Sequence, residues 1–93
     1  MPATPNFSEV RSAVNQALRR IIKRKDKFSH ESINWADLSV TEIIHGRYED
    51  GMNIWLVTIE EASPDAHDFL NALWQETRTL LPHSCTLRFI AEW

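Results

Sequence analysis

The chain has 93 residues and a mass of 10.8 kDa, which is enough for a single domain with one core. Hydrophobic residues make up 43% and charged residues 25%, and this balance excludes a disordered chain, a collagen-like repeat and a disulfide scaffold. The net charge of −3 is uneven, because residues 1–30 hold seven of the ten Lys and Arg residues but only two of the thirteen acids, giving +5 there and −8 in the remainder. Such asymmetry predicts an anionic partner or charge-steered association.

The single cysteine, Cys85, permits no intrachain disulfide and favours a reducing, cytoplasmic location. No apolar run approaches the roughly 20 residues needed to cross a bilayer, so we predict no membrane partner. Residues 1–7 contain no signal-peptide pattern. We predict that they form a flexible tail ahead of a single domain at residues 8–93.

The first predicted element is an amphipathic helix at about residues 8–27. Ser8 is a suitable N-terminal cap, and apolar residues then recur at helical spacing, centred on Val10, Val14, Ala17 and Ile21. The opposite side of this helix carries a basic face. Its residues are Arg19, Arg20, Lys23 and Lys27.

Two strand-like runs follow a connection at residues 28–37 that shows no periodicity. The first run extends from Leu38 to Tyr48, and the second extends from Asn53 to Ile59 after the segment Glu49-Asp50-Gly51-Met52. The sequence Asp50-Gly51 between them is a strong hairpin signal, because a type I′ turn needs positive φ at both central residues. The register predicted from that turn pairs Tyr48 with Asn53, Gly46 with Trp55 and Ile44 with Val57.

A second helix and a third strand complete the predicted fold. Ser63, Pro64 and Asp65 favour a helix start, and Pro82 ends that helix. Strict alternation from Cys85 to Trp93 predicts the last strand. We therefore predict an α+β fold in the order helix-strand-strand-helix-strand, with two helices packed on one face of a three-stranded sheet. The neighbour of the third strand is left open.

The predicted register places many apolar side chains on the sheet face that points away from the helices. A face exposed only to water would carry mostly polar residues. We therefore interpret this face as a surface for association with another protein, or with a second copy of the chain. The other interpretation is that residues 28–37, including Trp35, cover it. The candidate binding residues are Ile43, His45, Arg47, Ile54, Leu56, Arg88 and Ile90.

The basic face of the first helix suggests an alternative function. Arg19, Arg20, Lys23 and Lys27 would neutralise about three or four phosphates of RNA or DNA, which is enough for weak, salt-sensitive binding. No aromatic residue interleaves with these cations and no Gly-x-x-Gly loop is present, so a solvated face is the other interpretation. A second alternative is an acidic inhibitor or immunity-type protein, which the −8 segment would suit.

Four histidines and Cys85 raise the question of a metal site. His83 and Cys85 are two residues apart and His67 lies near the start of the second helix, but no spacing supplies a closed tetrahedral set. Cys85 is better interpreted as a small core residue. No nucleophile elbow, phosphate loop or paired-carboxylate motif is present. We predict a non-enzymatic protein without metal or cofactor.

The predicted element order over residues 8–93 resembles that of three kinds of small domain. These are ribosome-binding factors with a type II KH-like fold, the cytoplasmic dimerisation domain of cation-diffusion transporters, and the scaffold domain of iron–sulfur assembly proteins. The first resemblance implies a ribosome-associated protein. The chain lacks the Cys-x-x-Cys of the iron–sulfur domain and has no glycine in its second helix, so no functional residue is transferred.

Overall fold

The computed structural model of the chain describes residues 5–49 and 52–93. Its elements follow the predicted order, with one short 3-10 helix added after the first helix. They are α1 (Phe7–Ile22), the 3-10 helix (Lys25–Phe28), β1 (Ser39–Glu49), β2 (Met52–Glu60), α2 (His67–Arg78) and β3 (Cys85–Glu92). The predicted α+β fold, with two helices packed against a three-stranded sheet, is confirmed.

Helix α1 begins one residue earlier than predicted, because Asn6 and not Ser8 caps it. The side-chain oxygen of Asn6 accepts a 2.9 Å hydrogen bond from the backbone N–H of Glu9. This bond satisfies one of the donors that the first helical turn leaves without an intrahelical partner. The predicted start therefore lay close to the observed one, at Phe7, but named the wrong cap.

Helix α1 also ends earlier than predicted, at Ile22 rather than near residue 27. The buried stripe of the helix runs as far as Ile21, and the next positions that would face the core hold Arg24 and Lys25. The chain instead turns through the 3-10 helix, which brings Phe28 into the core. Burial of one aromatic ring thus decides where the helix stops.

Strand β2 lies at the centre of the sheet, antiparallel to β1 and parallel to β3. The third strand therefore lies beside the second, and α2 provides the crossover that a parallel neighbour requires. Strands β1 and β2 form the predicted hairpin, with Glu49 paired to Met52. The predicted turn residues Asp50 and Gly51 lie outside the described residues.

The predicted hairpin register is correct only near the turn, because β1 contains two bulges. Tyr48 pairs with Asn53 as predicted. Between His45 and Tyr48, however, β1 has one residue more than the facing part of β2, and Thr41 is a second extra residue nearer the start of β1. Trp55 consequently lies opposite His45 rather than Gly46. A shift of one residue exchanges the two faces of a strand, so the predicted facing of β1 is wrong between the bulges.

Gly46 explains why the first bulge forms where it does. A Cβ atom at this position would lie 3.0 Å from the carbonyl oxygen of Ile54 on β2. Glycine lets the two backbones approach that closely, which a side chain would oppose. Pairing resumes beyond the bulge with Ile44 opposite Leu56 and Ile43 opposite Val57.

Helix α2 begins at His67, after the predicted start, and it is capped by a residue from elsewhere in the chain. Residues 63–65 form a turn that precedes the helix. The carboxylate of Glu31 accepts hydrogen bonds from the backbone N–H groups of Asp68 at 3.0 Å and Phe69 at 2.8 Å. This cap joins the connection before β1 to the first turn of α2, and the helix ends at Arg78.

The two helices bury their apolar stripes against one face of the sheet, where Trp55, Val57 and Ile59 of β2 form the centre of the core. Phe28, Trp35 and Phe69 close one end of this core, with ring centroids 5.6–6.3 Å apart. Trp35 therefore lies on the helix side of the sheet rather than over the opposite face. Within the described residues, neither α-helix has the length and apolarity needed to span a bilayer.

Candidate protein-binding face

The sheet face opposite the helices, called the outer face below, takes alternate residues from all three strands, because directly paired residues point to the same side. Its central row consists of Ile44, Leu56 and Arg88, and the adjacent row consists of Glu42, Thr58 and Ile90. Ile54 and Thr86 lie beyond the first row, and Glu60 and Glu92 lie beyond the second.

The apolar surface of the outer face is concentrated on three side chains. Ile44 and Ile90 are 46% and 44% exposed, and Leu56 between their strands is half-buried. Ile54 belongs to the same face but is only 8% exposed, so it adds little area for a partner. An oblique apolar line from Ile44 through Leu56 to Ile90 is the part of this face that another molecule could cover.

Four of the seven candidate binding residues lie on the outer face. Leu56, Arg88 and Ile90 have exposed or half-exposed side chains there, whereas Ile54 is largely buried. Ile43 faces the helices instead, packed against the core. The bulge at Gly46 causes this difference, and it brings Ile44 to the outer face, a residue that the predicted register had assigned to the core.

Of the remaining two candidates, His45 lies on the helix side of the sheet rather than on the outer face. Its imidazole stacks on the indole of Trp55, with centroids 4.5 Å apart and planes inclined by 26°. Its Nε2 lies 3.4 Å from the side-chain oxygen of Asn53. His45 thus covers the edge of the core, and the side chain of Arg47 lies outside the described part of the structure.

Two charges of opposite sign stand at opposite corners of the central rows. Glu42 is on β1 and Arg88 is on β3, one row apart, and both are exposed. Strand spacing of about 4.8 Å and row spacing of about 6.7 Å place their Cα atoms about 12 Å apart. The ion pairs found among residues 5–49 and 52–93 involve neither of them.

The candidate basic face is less uniform than the sequence indicated. The guanidinium of Arg20 lies 3.3 Å from the carboxylate of Glu76 on α2, and Arg24 approaches the same carboxylate to 2.6 Å. The hydrogen bond from Arg24, followed by that from Arg20, holds the pKa of Glu76 below its ordinary value. Arg20 therefore helps to join α1 to α2, whereas Arg19, Lys23 and Lys27 are exposed. The prediction that all four cations share one face of the first helix is wrong for two of them, because Lys23 follows the last residue of α1 and Lys27 lies in the 3-10 helix.

Replacing Glu76 with glutamine is expected to lower the free energy of unfolding by about 1 kcal/mol at pH 7, because it removes a partly buried carboxylate that accepts from two guanidiniums. The pKa of Glu76 is lower in the folded chain than in the unfolded chain, so its contribution is complete above the unfolded value and is lost as the pH falls through the folded value. Urea unfolding of the original chain and of Glu76→Gln should therefore show a larger difference in stability at pH 7 than at about pH 3.

Two further variants control this measurement. Arg24→Gln removes the nearer partner and should reproduce most of the loss. Lys23→Gln removes a neighbouring charge that makes no ion pair with the described residues, and it should leave stability within about 0.5 kcal/mol of the original. Equal stability of Glu76→Gln and the original chain at pH 7 would contradict the assigned role of this carboxylate.

One group of three metal-ligating side chains lies within 4.8 Å in the described residues, and it is formed by His30, Glu31 and Asp68. No spacing in the sequence indicates it, because Asp68 is far from the other two along the chain. Glu31 caps α2 with both carboxylate oxygens, and His30 Nε2 lies 2.9 Å from Asp68 Oδ2. Each group thus has a structural partner, and the positive end of the helix dipole disfavours a cation there.

Cys85 is buried in the core, which agrees with its interpretation from the sequence as a small core residue. Burial raises the pKa of its thiol above the ordinary value, which keeps the sulfur protonated and weakly nucleophilic. Together with His83 and Trp74 it lines a small cavity of about 100 Å³ near the start of β3. His67 and His83 do not join Cys85 in a group of ligand atoms within the described residues.

Comparisons with protein-family models, with curated proteins and with solved structures found no significant match to this chain. The fold defines the class of protein to which it belongs. It is a small α+β domain in which two helices cover one face of a mixed three-stranded sheet.

Proposed function

We propose that this chain is a small, non-enzymatic binding domain that associates with another protein through the outer face of its sheet. The observation that carries the proposal is the pair of exposed isoleucines, Ile44 and Ile90, on either side of Leu56. Both helices and the connection that contains Trp35 lie on the other side of the sheet, so nothing in the described residues covers this apolar line.

The charges around the apolar line define the chemistry of the partner surface. A partner needs an apolar centre to cover Ile44, Leu56 and Ile90, an acidic group to meet Arg88 and a basic group to meet Glu42. Glu60 and Glu92 would repel a second acidic group at the end of the face. The preferred partner is therefore a protein surface that carries both signs of charge around an apolar centre, rather than a uniformly charged polymer.

Site-specific photocrosslinking tests the proposal even when the identity of the partner is unknown. A photoreactive phenylalanine analogue is placed at position 44 or 90, and at position 22 as the control, because Ile22 is similarly exposed on α1 at 37%. We expect protein adducts from positions 44 and 90 in cells that make the chain, and few from position 22. Equal or absent adducts at all three positions would reject the outer face as a binding surface.

Nucleic-acid binding by the basic face is the alternative proposal, and the exposure of Arg19, Lys23 and Lys27 favours it. It requires an affinity for RNA or DNA that falls steeply with salt and is lost in an Arg19→Glu, Lys23→Glu variant. An acidic inhibitor is the second alternative, supported by the clustering of Glu60, Glu61 and Glu92 around one surface cavity of about 250 Å³.

A further inference from the structure

We infer that the partner of the outer face is a second copy of this chain, docked face to face about a two-fold axis. This inference rests on the proposed binding function of that face. Its basis is the pattern of the two central rows, which contain Ile44, Leu56, Arg88 and Glu42, Thr58, Ile90 across the three strands. Charges occupy one diagonal of this rectangle and isoleucines occupy the other.

A two-fold axis can make this pattern complementary to itself. The axis lies between the two facing sheets and crosses the line from Glu42 to Arg88 at a right angle, midway between the two rows. Rotation about this axis places Arg88 of each copy opposite Glu42 of the partner subunit, so both ion pairs form at once. The same axis brings Ile44 of each copy next to Leu56 of the partner subunit. Neither charge has an ion-pair partner within the described part of its own chain, so dimerisation would supply both.

The size of the face sets the strength of this contact. Three strands about 4.8 Å apart and three rows about 6.7 Å apart give about 290 Å² of projected area, against about 800 Å² per partner in a standard interface. Glu60 and Glu92 prevent the contact from extending further, because their charges would meet like charges. The dimer is therefore a weak one, with a dissociation constant of about 10–500 µM.

Charge exchange across the interface tests both the dimer and its symmetry. Arg88→Glu alone places a carboxylate against Glu42 of the partner subunit at both contacts, and Glu42→Arg alone places a guanidinium against Arg88 at both contacts. Each single variant should therefore dimerise at least about tenfold more weakly. An equimolar mixture of the two restores opposite charges at both contacts of the heterodimer, and the chain that carries both exchanges restores them at both contacts of its homodimer. Sedimentation equilibrium from about 10 µM to about 1 mM measures these affinities.

The heterodimer of the two single variants still pairs an unchanged Glu42 with an unchanged Arg88 at one of its two contacts. The homodimer of the double exchange contains neither original contact, so the double exchange is the decisive variant. It should recover the original affinity to within about threefold. The control is Arg19→Glu, the same change of charge on α1, which should leave self-association unchanged. A chain that is monomeric at about 1 mM, or a double exchange that associates as weakly as the single variants, would overturn the inferred dimer.

Photocrosslinking separates this failure from failure of the proposed function. An adduct of twice the chain mass at positions 44 and 90 supports the dimer. An adduct of another mass would support the outer face as a protein-binding surface but contradict the dimer. The absence of any adduct would contradict both.

Discussion

Replacing Phe69 with alanine is expected to lower the free energy of unfolding by about 3–5 kcal/mol, the largest loss that we expect from a single truncation in this chain. The side chain of Phe69 is completely buried at the start of α2. Its ring meets those of Phe28 and Trp35 edge-on, with centroids 6.2 and 5.6 Å away. Alanine would remove both aromatic contacts and leave a cavity that the flanking elements cannot fill without moving.

The effect should extend to the connection between the 3-10 helix and β1, because Phe69 is what Trp35 packs against. Urea unfolding followed by circular dichroism measures the stability. Tryptophan fluorescence in the absence of urea reports the four tryptophans together, and among them Trp35 packs edge-on against Phe69. Phe7→Ala is the matched control, since Phe7 is 47% exposed and should lose less than about 1 kcal/mol. If Phe69→Ala is completely unfolded, Phe69→Leu replaces it, because leucine keeps most of the apolar volume and should leave a measurable stability. This variant should still lose more stability than Phe7→Ala and should still change the tryptophan fluorescence.

The sequence predicts the elements of this fold well, because each is specified by local patterns. The stripe from Val10 to Ile21 is set by helical spacing, and the last strand is set by alternation that starts at Cys85. Helix ends are less predictable, since they depend on what the next residues can bury. Ile22 ends α1 because the following apolar residue able to enter the core is Phe28, and periodicity alone does not show this.

Contacts between distant residues could not be predicted. Glu31 caps α2 from the connection before β1, whereas the capping signals next to the helix in sequence point to Ser63 instead. Glu76 is the partner of two arginines, Arg20 and Arg24, which changes the interpretation of the basic face. Both contacts depend on which elements lie side by side, and a single sequence does not state that.

The candidate binding face shows the same limit within one hairpin. A register counted from the predicted turn is right at Tyr48 and wrong at His45, because one extra residue enters β1 near Gly46. The glycine was a usable signal, since an isolated glycine inside a strand often marks a bulge. A predicted register that included a bulge at Gly46 would have placed Ile44, instead of Ile43, on the outer face. Ile44 is the residue on which the proposed function depends.

Replacing Ile54 with aspartate is expected to destabilise the monomer by about 2–4 kcal/mol, whereas Ile44→Asp should cost less than about 1 kcal/mol. Both residues lie on the outer face, on paired strands of one hairpin, but they differ in exposure, at 8% and 46%. A carboxylate at position 54 would be buried beside the backbone of Gly46, while at position 44 it would remain in water. Urea unfolding of both variants at one low protein concentration measures this difference without a contribution from association.

The comparison decides how loss of association is to be interpreted. Ile54→Asp should reduce association only to the extent that it unfolds the chain. The loss of association should therefore follow the unfolded fraction. Ile44→Asp should abolish association while the circular dichroism and the unfolding midpoint stay close to those of the original chain, because a charge at the apolar centre of an interface must be desolvated without a partner. If Ile44→Asp were as unstable as Ile54→Asp, the outer face would be a second core covered within the monomer, and its exposed isoleucines would be structural rather than functional.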